Sequence, residues 1–318
     1  MFNPRLPIRQ GVSESRAELI DASTRFSAVF GHPVKHSASP AMQNAGIAAL
    51  GLNWRYLAFD VHPDQLQKAI IGAKAMRFVG LNLTLPHKLL ALGMVDQLDQ
   101  SGTKWGAINT IAFEGRSPDT AWKPLGLLEP ENVAEVRSVG YNTDADAIVR
   151  SLREDLGLEP RGTSVLLLGA GGAGLVAALR LAEEAVRELC LVNRTAAKAE
   201  EIARQIRSRF PAVTATVGYP PGSVDLVLNA TSLGLKASDP LPFDERLFAL
   251  TRTGAVYDMI YRPAETRLLQ AAQTAGCRTA NGLGMLLYQG AKALEIWAGR
   301  SAPEPVMRRA LERSVYGQ

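Results

Sequence analysis

The chain of 318 residues is longer than one modest hydrophobic core requires, and at roughly 150 residues per domain it predicts two domains. A net charge of +4 is mild, and the Arg-rich C-terminal segment spaces its charges as a solvated helix face does, which disfavours nucleic acid as a partner. Because we find no run of eighteen apolar residues and no apolar signal segment, we expect a cytoplasmic protein without a membrane partner.

From about residue 26 onward, short segments with strand character alternate with segments of helical periodicity. The strand-like segments are FSAVFG, WRYLAFDV and RFVGLNLT, and the helix-like segments are SPAMQNAGIAAL, PDQLQKAIIGA and HKLLALGMV. This alternation is typical of parallel strands joined by helical crossovers. It predicts a first α/β domain with a mainly parallel sheet.

The segment between about residues 116 and 138 interrupts this alternation. It is rich in proline and charge without clear periodicity, which predicts a surface insertion before a short strand, VGYNTD. A lid, an oligomer contact and a tolerated surface loop all stay open, and the tolerated loop is favoured because long loops cost little free energy. The first ~25 residues predict an N-terminal arm or an addition to a sheet edge.

A second alternating unit begins near residue 163, with the strands TSVLLLG, RELCLVN, SVDLVLNA and GAVYDMI separated mostly by helical segments. It predicts a second α/β domain. Cys190 and Cys277 lie in short apolar segments of this unit, where a buried reduced thiol is more common than a disulfide or a metal ligand. We therefore expect no metal site.

The first strand of the second unit runs into Gly169, Gly171 and Gly174, in the spacing G-x-G-x-x-G, before an apolar helix. Such glycines allow a tight turn, let the backbone approach a pyrophosphate and let helix and strand pack closely. The helix N-terminus then offers free N–H groups to the phosphate. A glycine-rich turn without a ligand is the alternative, but strand, spacing and helix together favour a dinucleotide site.

About twenty residues further on, an NAD site would place a carboxylate on the ribose 2′-hydroxyl. This chain instead has Arg194 and Lys198, which can converge on a 2′-phosphate if the segment TAAKAEEIARQI is helical. A solvated basic helix start is the alternative, and it is electrostatically unfavourable because helix N-termini prefer negative charge. The pattern therefore predicts NADP as the cofactor.

Polar clusters lie where strands of the first unit are expected to end: HSAS, NLTLPHK, GAINT and GYNTD. In open parallel sheets, ligands bind at the carboxyl ends of the strands. Each cluster alone is compatible with turn or cap chemistry, such as Ser39 as an N-cap before Pro40, or Asn109 and Asp144 as turn residues. Together the clusters predict a binding site.

Lys88 and Asp144, within these clusters, suit hydride transfer between a nicotinamide and an alcohol or ketone. Such a reaction needs a group that hands over a proton, and a lysine oriented by an aspartate can do so. A nearby carboxylate favours the charged ammonium whereas desolvation favours the neutral amine, and the balance between the two effects stays open. The alternative without a catalytic role is a solvated lysine in the first turn of a helix.

Taken in chain order over about residues 26 to 300, the motifs resemble those of the shikimate dehydrogenase family. The resemblance rests on GHPVKHSASPAMQN, GLNLTLPHK, GAINT, GYNTD, GAGGAG, NRTAAK, NATSLGL, DMIYRPAETRLL and NGLGMLLYQGAKALEIW. It implies the NADPH-dependent, reversible reduction of 3-dehydroshikimate to shikimate in aromatic amino-acid biosynthesis, by a monomer or homodimer. It also implies that the C-terminal helices return to the first domain.

The resemblance further implies a role for each matched residue. The catalytic pair would be Lys88 and Asp144. The substrate would contact Ser37, Ser39, Thr84, Asn109, Tyr261 and Gln289. The cofactor would contact Gly169, Ala170, Gly171, Gly172, Ala173, Gly174, Asn193, Arg194, Thr195, Lys198, Thr231, Met259 and Gly282. The implied domains are residues 1–144 plus 282–318 for the substrate, and a Rossmann-like domain of residues 145–281 for NADP.

The chain departs from the family pattern at Gln43, where histidine is usual, at Ala145, where glycine is common, and in the length of the insertion. None of these departures removes a catalytic group. One rival function is an oxidative quinate or shikimate dehydrogenase, which predicts an acidic residue at the ribose. The other rival is a catalytically silent NADP-binding sensor, which the retention of Lys88 and Asp144 disfavours.

Overall fold

The computed structural model describes residues 20–118 and 120–317, so most of the predicted N-terminal arm lies outside the described residues. The first α/β unit contains, in chain order, β1 (Arg25–Gly31), α1 (Ser39–Ala49), β2 (Trp54–Asp60), α2 (Leu66–Ala75), β3 (Gly80–Leu83), α3 (His87–Leu90), β4 (Gln97–Leu98), α4 (Gln100–Trp105), β5 (Thr110–Arg116), β6 (Lys123–Pro124), β7 (Glu135–Tyr141) and α5 (Asp144–Glu154). Its strands form one sheet in the order β2-β1-β3-β5-β7-β4, and β6 pairs with β5.

This first sheet is mixed, because β5 runs antiparallel to β3 and β7 whereas β1 is parallel to β2 and β3. A loop without an α-helix joins β5 to β7, as antiparallel neighbours allow. The antiparallel direction of β5 affects Asn109, which lies just before β5, whereas the sequence predicts it at the end of a strand. Because β5 starts at the edge where β3 and β7 end, Asn109 still reaches that edge, and its N–H donates to the carbonyl of Tyr141 at 3.0 Å.

The described residues around 116–138 lie mostly at the surface, but a few of them are buried. It contains β6 and the start of β7, and it buries Leu125 and Val133. At Gly126 a β-carbon would lie 2.6 Å from the ring of Trp54 and would also meet the backbone of Trp297. The predicted surface insertion is therefore confirmed for most of the segment, and Leu125 and Val133 anchor it to the end of the sheet.

The second unit contains β8 (Ser164–Leu168), α6 (Gly172–Glu183), β9 (Glu188–Val192), α7 (Ala196–Arg209), β10 (Thr214–Val217), β11 (Val224–Asn229), β12 (Thr253–Asp258), α8 (Arg267–Thr274) and β13 (Arg278–Asn281). Its strands are parallel in the order β10-β9-β8-β11-β12-β13. In this doubly wound order the crevice beside β8 and β11 is the expected ligand site. Cys190 and Cys277 are buried free thiols in this unit, as predicted.

Two C-terminal helices, α9 (Leu283–Ala298) and α10 (Glu304–Tyr316), pack against α1, and α9 also packs against α5. The indole of Trp297 is fully buried, and its Nε1 donates to the carbonyl of Ile111 on β5 at 3.0 Å. The predicted return of the C-terminal helices to the first unit is thus confirmed. The chain passes between the units twice, at α5 and just before α9.

Candidate active site

The carboxyl edges of the two sheets face one cleft of about 820 Å³. Segments from both units line it, so most residues predicted for the site meet there. The predicted residues that line the cleft are Ser37, Ser39, Thr84, Lys88, Asp144, Gly169, Ala170, Gly171, Gly172, Ala173, Asn193, Arg194, Thr231, Met259, Tyr261, Gly282 and Gln289. Those that do not line it are Asn109, Gly174, Thr195 and Lys198.

Lys88 and Asp144 form an ion pair in the wall of the cleft. The Nζ atom of Lys88 donates to Oδ2 of Asp144 at 2.6 Å, and the two side chains are 17% and 3% exposed. Lys88 does lie in the first turn of a helix, α3, but its ammonium is not simply solvated. Asp144 is the first residue of α5, where the helix N-terminus stabilises a carboxylate. The pair is therefore held from two elements of the first unit.

Asn109 fixes the other carboxylate oxygen of Asp144. Its Nδ2 atom lies 2.8 Å from Oδ1 of Asp144 and 3.3 Å from Oε1 of Gln289. Its Oδ1 atom accepts from the N–H of Thr143 at 2.7 Å. Both carboxylate oxygens of Asp144 thus have a hydrogen-bonding partner, so the carboxylate has little freedom to rotate away from Lys88.

A group of hydroxyls surrounds the start of α1. The Ser39 N–H donates to Oγ of Ser37 at 3.3 Å, and the Ala38 N–H donates to the Tyr261 hydroxyl at 3.4 Å. Burial raises the pKa of Tyr261, so its phenol remains neutral at physiological pH. The alternative interpretation of Ser39 as an N-cap is wrong, because Ala38 is the N-cap of α1 and Ser39 is the first helical residue. Hydroxyls at a helix start suit an anionic group.

The glycine turn after β8 has the geometry that the spacing predicts. Gly169 has φ of +108°, in the region that favours glycine. A β-carbon at Gly174 would lie 2.1 Å from the carbonyl oxygen of Gly169, so a larger residue would push α6 away from the strand. A β-carbon at Gly171, the N-cap of α6, would meet nothing within 4 Å. The start of α6 therefore faces open space, as a pyrophosphate requires.

The turn and the ion pair meet across the cleft. A β-carbon at Gly172 would lie 3.4 Å from Cβ of Lys88, which is van der Waals distance. The second unit thus presents the N-terminus of α6 directly to α3 of the first unit. A molecule bound along the glycine turn would extend beside Lys88.

The loop after β9 is tied to the same turn. Asn193 accepts from the N–H of Ala170 at 3.1 Å, and Arg194 beside it is exposed and lines the cleft. Thr195 is the N-cap of α7, so the segment is helical, Arg194 lies just before the helix and Lys198 lies in its first turn. Their convergence on a 2′-phosphate stays a prediction. Neither cation forms an ion pair with any residue in the described ranges, which leaves both charges available to a ligand.

Some residues of the cleft wall had no role assigned from the sequence. Asn82 on β3 lines the cleft at 6% exposure, and the signal was a single amide within the otherwise apolar strand GLNL. Tyr219, just after β10, also lines the cleft, and its hydroxyl accepts from the N–H of Asp244 at 2.8 Å. An isolated tyrosine after a short strand carries no sequence signal for a site.

A glycine turn that faces a buried lysine–aspartate pair, between two α/β units, defines a class: the two-domain dinucleotide-dependent oxidoreductases. Family models divide the chain in the same way. Residues 29–111 match the shikimate dehydrogenase substrate-binding domain, residues 153–232 match shikimate/quinate 5-dehydrogenase, and residues 282–312 match the shikimate 5′-dehydrogenase C-terminal domain. The chain belongs to the shikimate dehydrogenase family.

Individual relatives are similar over nearly the whole chain. Shikimate dehydrogenase (NADP(+)) of Methanopyrus kandleri is 38% identical over 92% of this chain and 96% of its own, and that of Moorella thermoacetica is 41% identical over 93% and 95%. A crystal structure of shikimate dehydrogenase in complex with NADP+ has a TM-score of 0.78 at 33% identity, covering 93% of this chain and 98% of its own. A 5-ketofructose reductase from a Gluconobacter species has a TM-score of 0.72 at 33% identity, covering 92% and 99%.

Proposed function

We propose that this protein reversibly reduces 3-dehydroshikimate to shikimate with NADPH, as a step of aromatic amino-acid biosynthesis. The observation that carries the proposal is the Lys88–Asp144 pair, joined at 2.6 Å and facing the glycine turn across the cleft. The relatives named shikimate dehydrogenase (NADP(+)) support the same substrate and cofactor.

The residues present fit NADP. When bound, NADPH supplies a hydride from its nicotinamide to the ketone carbon. The open start of α6 would hold the pyrophosphate, and Arg194 would bind the 2′-phosphate, because a guanidinium matches phosphate geometry. Of the carboxylates among the described residues, only Asp144 and Asp244 line the cleft, and Asp244 is paired with Arg246 at 2.7 Å. A ribose 2′-hydroxyl would therefore find no carboxylate after β9.

Lys88 handles the proton in this proposal. As the carbonyl carbon receives the hydride, its oxygen takes a proton from Nζ of Lys88 and becomes the alcohol; the oxidative direction returns that proton to the amine. Asp144 orients the ammonium and balances its charge, and Asn109 holds Asp144 in that position. The lysine then recovers a proton from solvent.

The first unit holds the substrate in a defined orientation. Ser37, Ser39 and Tyr261 would bind the carboxylate at the start of α1, where the helix N-terminus favours an anion. Thr84 and Gln289, which line the same wall, would complete the contacts with the carboxylate and the ring hydroxyls. With substrate and cofactor fixed on opposite walls, much of the rate comes from their approach and alignment.

The assignments of location, assembly and domain limits belong to the same proposal. Within residues 20–118 and 120–317, every helix is too short or too polar to cross a membrane. We place the enzyme in the cytoplasm as a monomer or homodimer. Residues 1–144 plus 282–318 would form the substrate domain and residues 145–281 the NADP domain, because α5 and the start of α9 carry the two crossings.

A steady-state comparison tests the function. In the oxidative direction, the kcat/KM of the purified protein should be higher for shikimate with NADP+ than for quinate with NAD+. In the reductive direction, the kcat/KM should be higher for 3-dehydroshikimate with NADPH than for 5-ketofructose with NADPH. Faster oxidation of quinate with NAD+ would favour the oxidative rival and contradict the proposal. A protein that turns over none of these pairs at high enzyme concentration would be the silent sensor.

A further inference from the structure

Tyr56 on β2 is a fully buried tyrosine whose position is fixed at several points. Its backbone N–H donates to Oδ1 of Asn44 at 2.9 Å, and its carbonyl accepts from Nδ2 of the same side chain at 2.8 Å. Its ring packs against the indole of Trp297, with centroids 6.2 Å apart. The phenol hydroxyl is therefore held at a defined place beneath the substrate wall of the cleft.

That hydroxyl holds the amide oxygen of Asn82. Tyr56 donates to Oδ1 of Asn82 at 2.7 Å, while Nδ2 of Asn82 lies 3.0 Å from Oγ1 of Thr110 and 3.3 Å from the carbonyl of Asn109. The carbonyl of Asn109 only accepts, so the amide nitrogen of Asn82 faces it and the amide oxygen faces Tyr56, which therefore donates. The oxygen of Asn82 has two lone pairs and keeps one for a further donor.

We infer that Tyr56 is a positioning residue for the substrate, whose hydroxyl fixes the Asn82 amide so that its oxygen can accept from a ring hydroxyl in the cleft. The inference rests on the proposed function, because it requires a hydroxylated ring against this wall. Asn82 lines the cleft on β3, next in the sheet to the segment that carries Asn109. Tyr56 itself does not line the cleft, so it can reach the substrate only through residues that its hydroxyl contacts, and its hydrogen bond of 2.7 Å goes to Asn82.

The chemistry of a buried phenol supports this role. A phenylalanine would fill the same space, and a buried hydroxyl costs free energy unless it is hydrogen-bonded. Burial raises the pKa of Tyr56 well above its usual value, and the nearby Ser39 hydroxyl opposes only part of that rise. The phenol therefore stays protonated, and able to donate, throughout the pH range of an activity assay.

The variant Tyr56→Phe tests the inference. The KM for shikimate should rise about threefold to tenfold, the size of one neutral hydrogen bond, while kcat and the KM for NADP+ change less than about twofold. A merely structural role would lower the thermal stability and leave the KM for shikimate unchanged. An unchanged KM for shikimate, or equal rises for both substrates, would overturn the inference.

The chain offers a matched control. Tyr257 on β12 is equally buried, and it does not line the cleft. Tyr257→Phe also deletes one buried hydroxyl, so it should leave the KM for shikimate at the wild-type value. A rise as large as that in Tyr56→Phe would show a general effect of losing a buried hydroxyl and would contradict the inference.

A double-mutant cycle tests the route through Asn82. Asn82→Ala should raise the KM for shikimate at least as much as Tyr56→Phe, and the double variant should match Asn82→Ala. A further rise in the double variant would show that Tyr56 acts elsewhere. Should Tyr56→Phe not fold, a crystal structure of the wild-type protein with shikimate decides: a ring hydroxyl within about 3.2 Å of Oδ1 of Asn82 supports the inference, and a ring bound away from that oxygen overturns it. Wild-type protein that does not turn over shikimate contradicts the proposed function instead.

Discussion

The two walls of the cleft are built in opposite ways. In the wall from the first sheet, Lys88, Asp144 and Asn109 are largely buried and bonded to one another at 2.6 to 2.8 Å. In the wall from the second sheet, Gly171 borders empty space and Arg194 is exposed without an ion pair among the described residues. One wall is organised before any ligand arrives, and the other offers open backbone and unpaired charge.

The difference follows from what each wall has to do. Proton transfer depends on distances of a few tenths of an ångström, so its groups gain from being fixed by neighbouring side chains. Holding a long dinucleotide depends on backbone N–H groups and on charge that is not already paired. Substitutions in the first wall should therefore lower kcat, and substitutions in the second should raise the KM for the cofactor.

The largest effect is expected for Lys88→Met. Methionine keeps much of the side-chain length but removes the proton donor, so kcat should fall about 10²-fold to 10⁴-fold. The dissociation constant for NADPH, measured by fluorescence titration, should remain near the wild-type value because the proposed cofactor site lies on the other wall. Lys68→Met, at an exposed lysine of α2, is the control and should keep full activity. If Lys88→Met kept most of its kcat, the first wall would not carry the proton transfer, and the contrast between the two walls would fail.

A smaller effect is expected from Asp258, a buried carboxyl of the second unit that does not line the cleft. Burial raises its pKa from 3.8 to about 6, although Thr266, Ile260 and Asn229 donate to it. The folded state therefore binds more protons than the unfolded state between pH 4 and 6, so this carboxyl's contribution to stability falls as pH rises through that window.

Asp258→Asn removes this titration. Two pKa units correspond to about 3 kcal/mol, so the free energy of unfolding of the variant relative to wild type should rise by about that amount between pH 4 and pH 7. Urea unfolding at both pH values measures the difference. Parallel pH dependences of the two proteins would show that the carboxyl is not perturbed. The raised pKa of the buried Asp258 carboxyl would then be contradicted.

Arg194→Ala should raise the KM for NADPH about tenfold to a hundredfold, which corresponds to the free energy of one hydrogen bond to a charged group. The KM for NADH should stay within about twofold of the wild-type value, because NADH has no 2′-phosphate. Lys198→Ala should have the smaller effect, because Lys198 does not line the cleft. Equal losses with NADPH and NADH would show that Arg194 does not bind the 2′-phosphate.

Local spacing was enough to predict the main chemical groups. The glycines of the turn and their conformations follow from a strand, a G-x-G-x-x-G spacing and a helix that are contiguous in sequence. Lys88 and Asp144 lie shortly after the ends of β3 and β7, so the rule that ligands gather at strand ends brought them together correctly. These predictions needed no knowledge of which strands pair.

Features that depend on pairing between distant segments could not be predicted from the sequence. Asn109 reaches the sheet edge that carries Asp144 because β5 runs antiparallel, and no local pattern states the direction of a strand. Leu125 is buried by the packing of a polar segment on the end of the sheet. The link from Tyr56 to Asn82 joins residues of two strands that are separated in the sheet by β1. A tyrosine in a strand looks like any other core residue.

A crystal structure of the protein with shikimate and NADP+ tests the central claim most directly. We predict that Nζ of Lys88 lies within hydrogen-bonding distance, about 2.6 to 3.2 Å, of the ring hydroxyl whose carbon faces the nicotinamide C4. We also predict that Lys88 keeps its contact with Asp144. A complex in which the reacting hydroxyl meets another group, while Lys88 remains paired away from both ligands, would contradict the account.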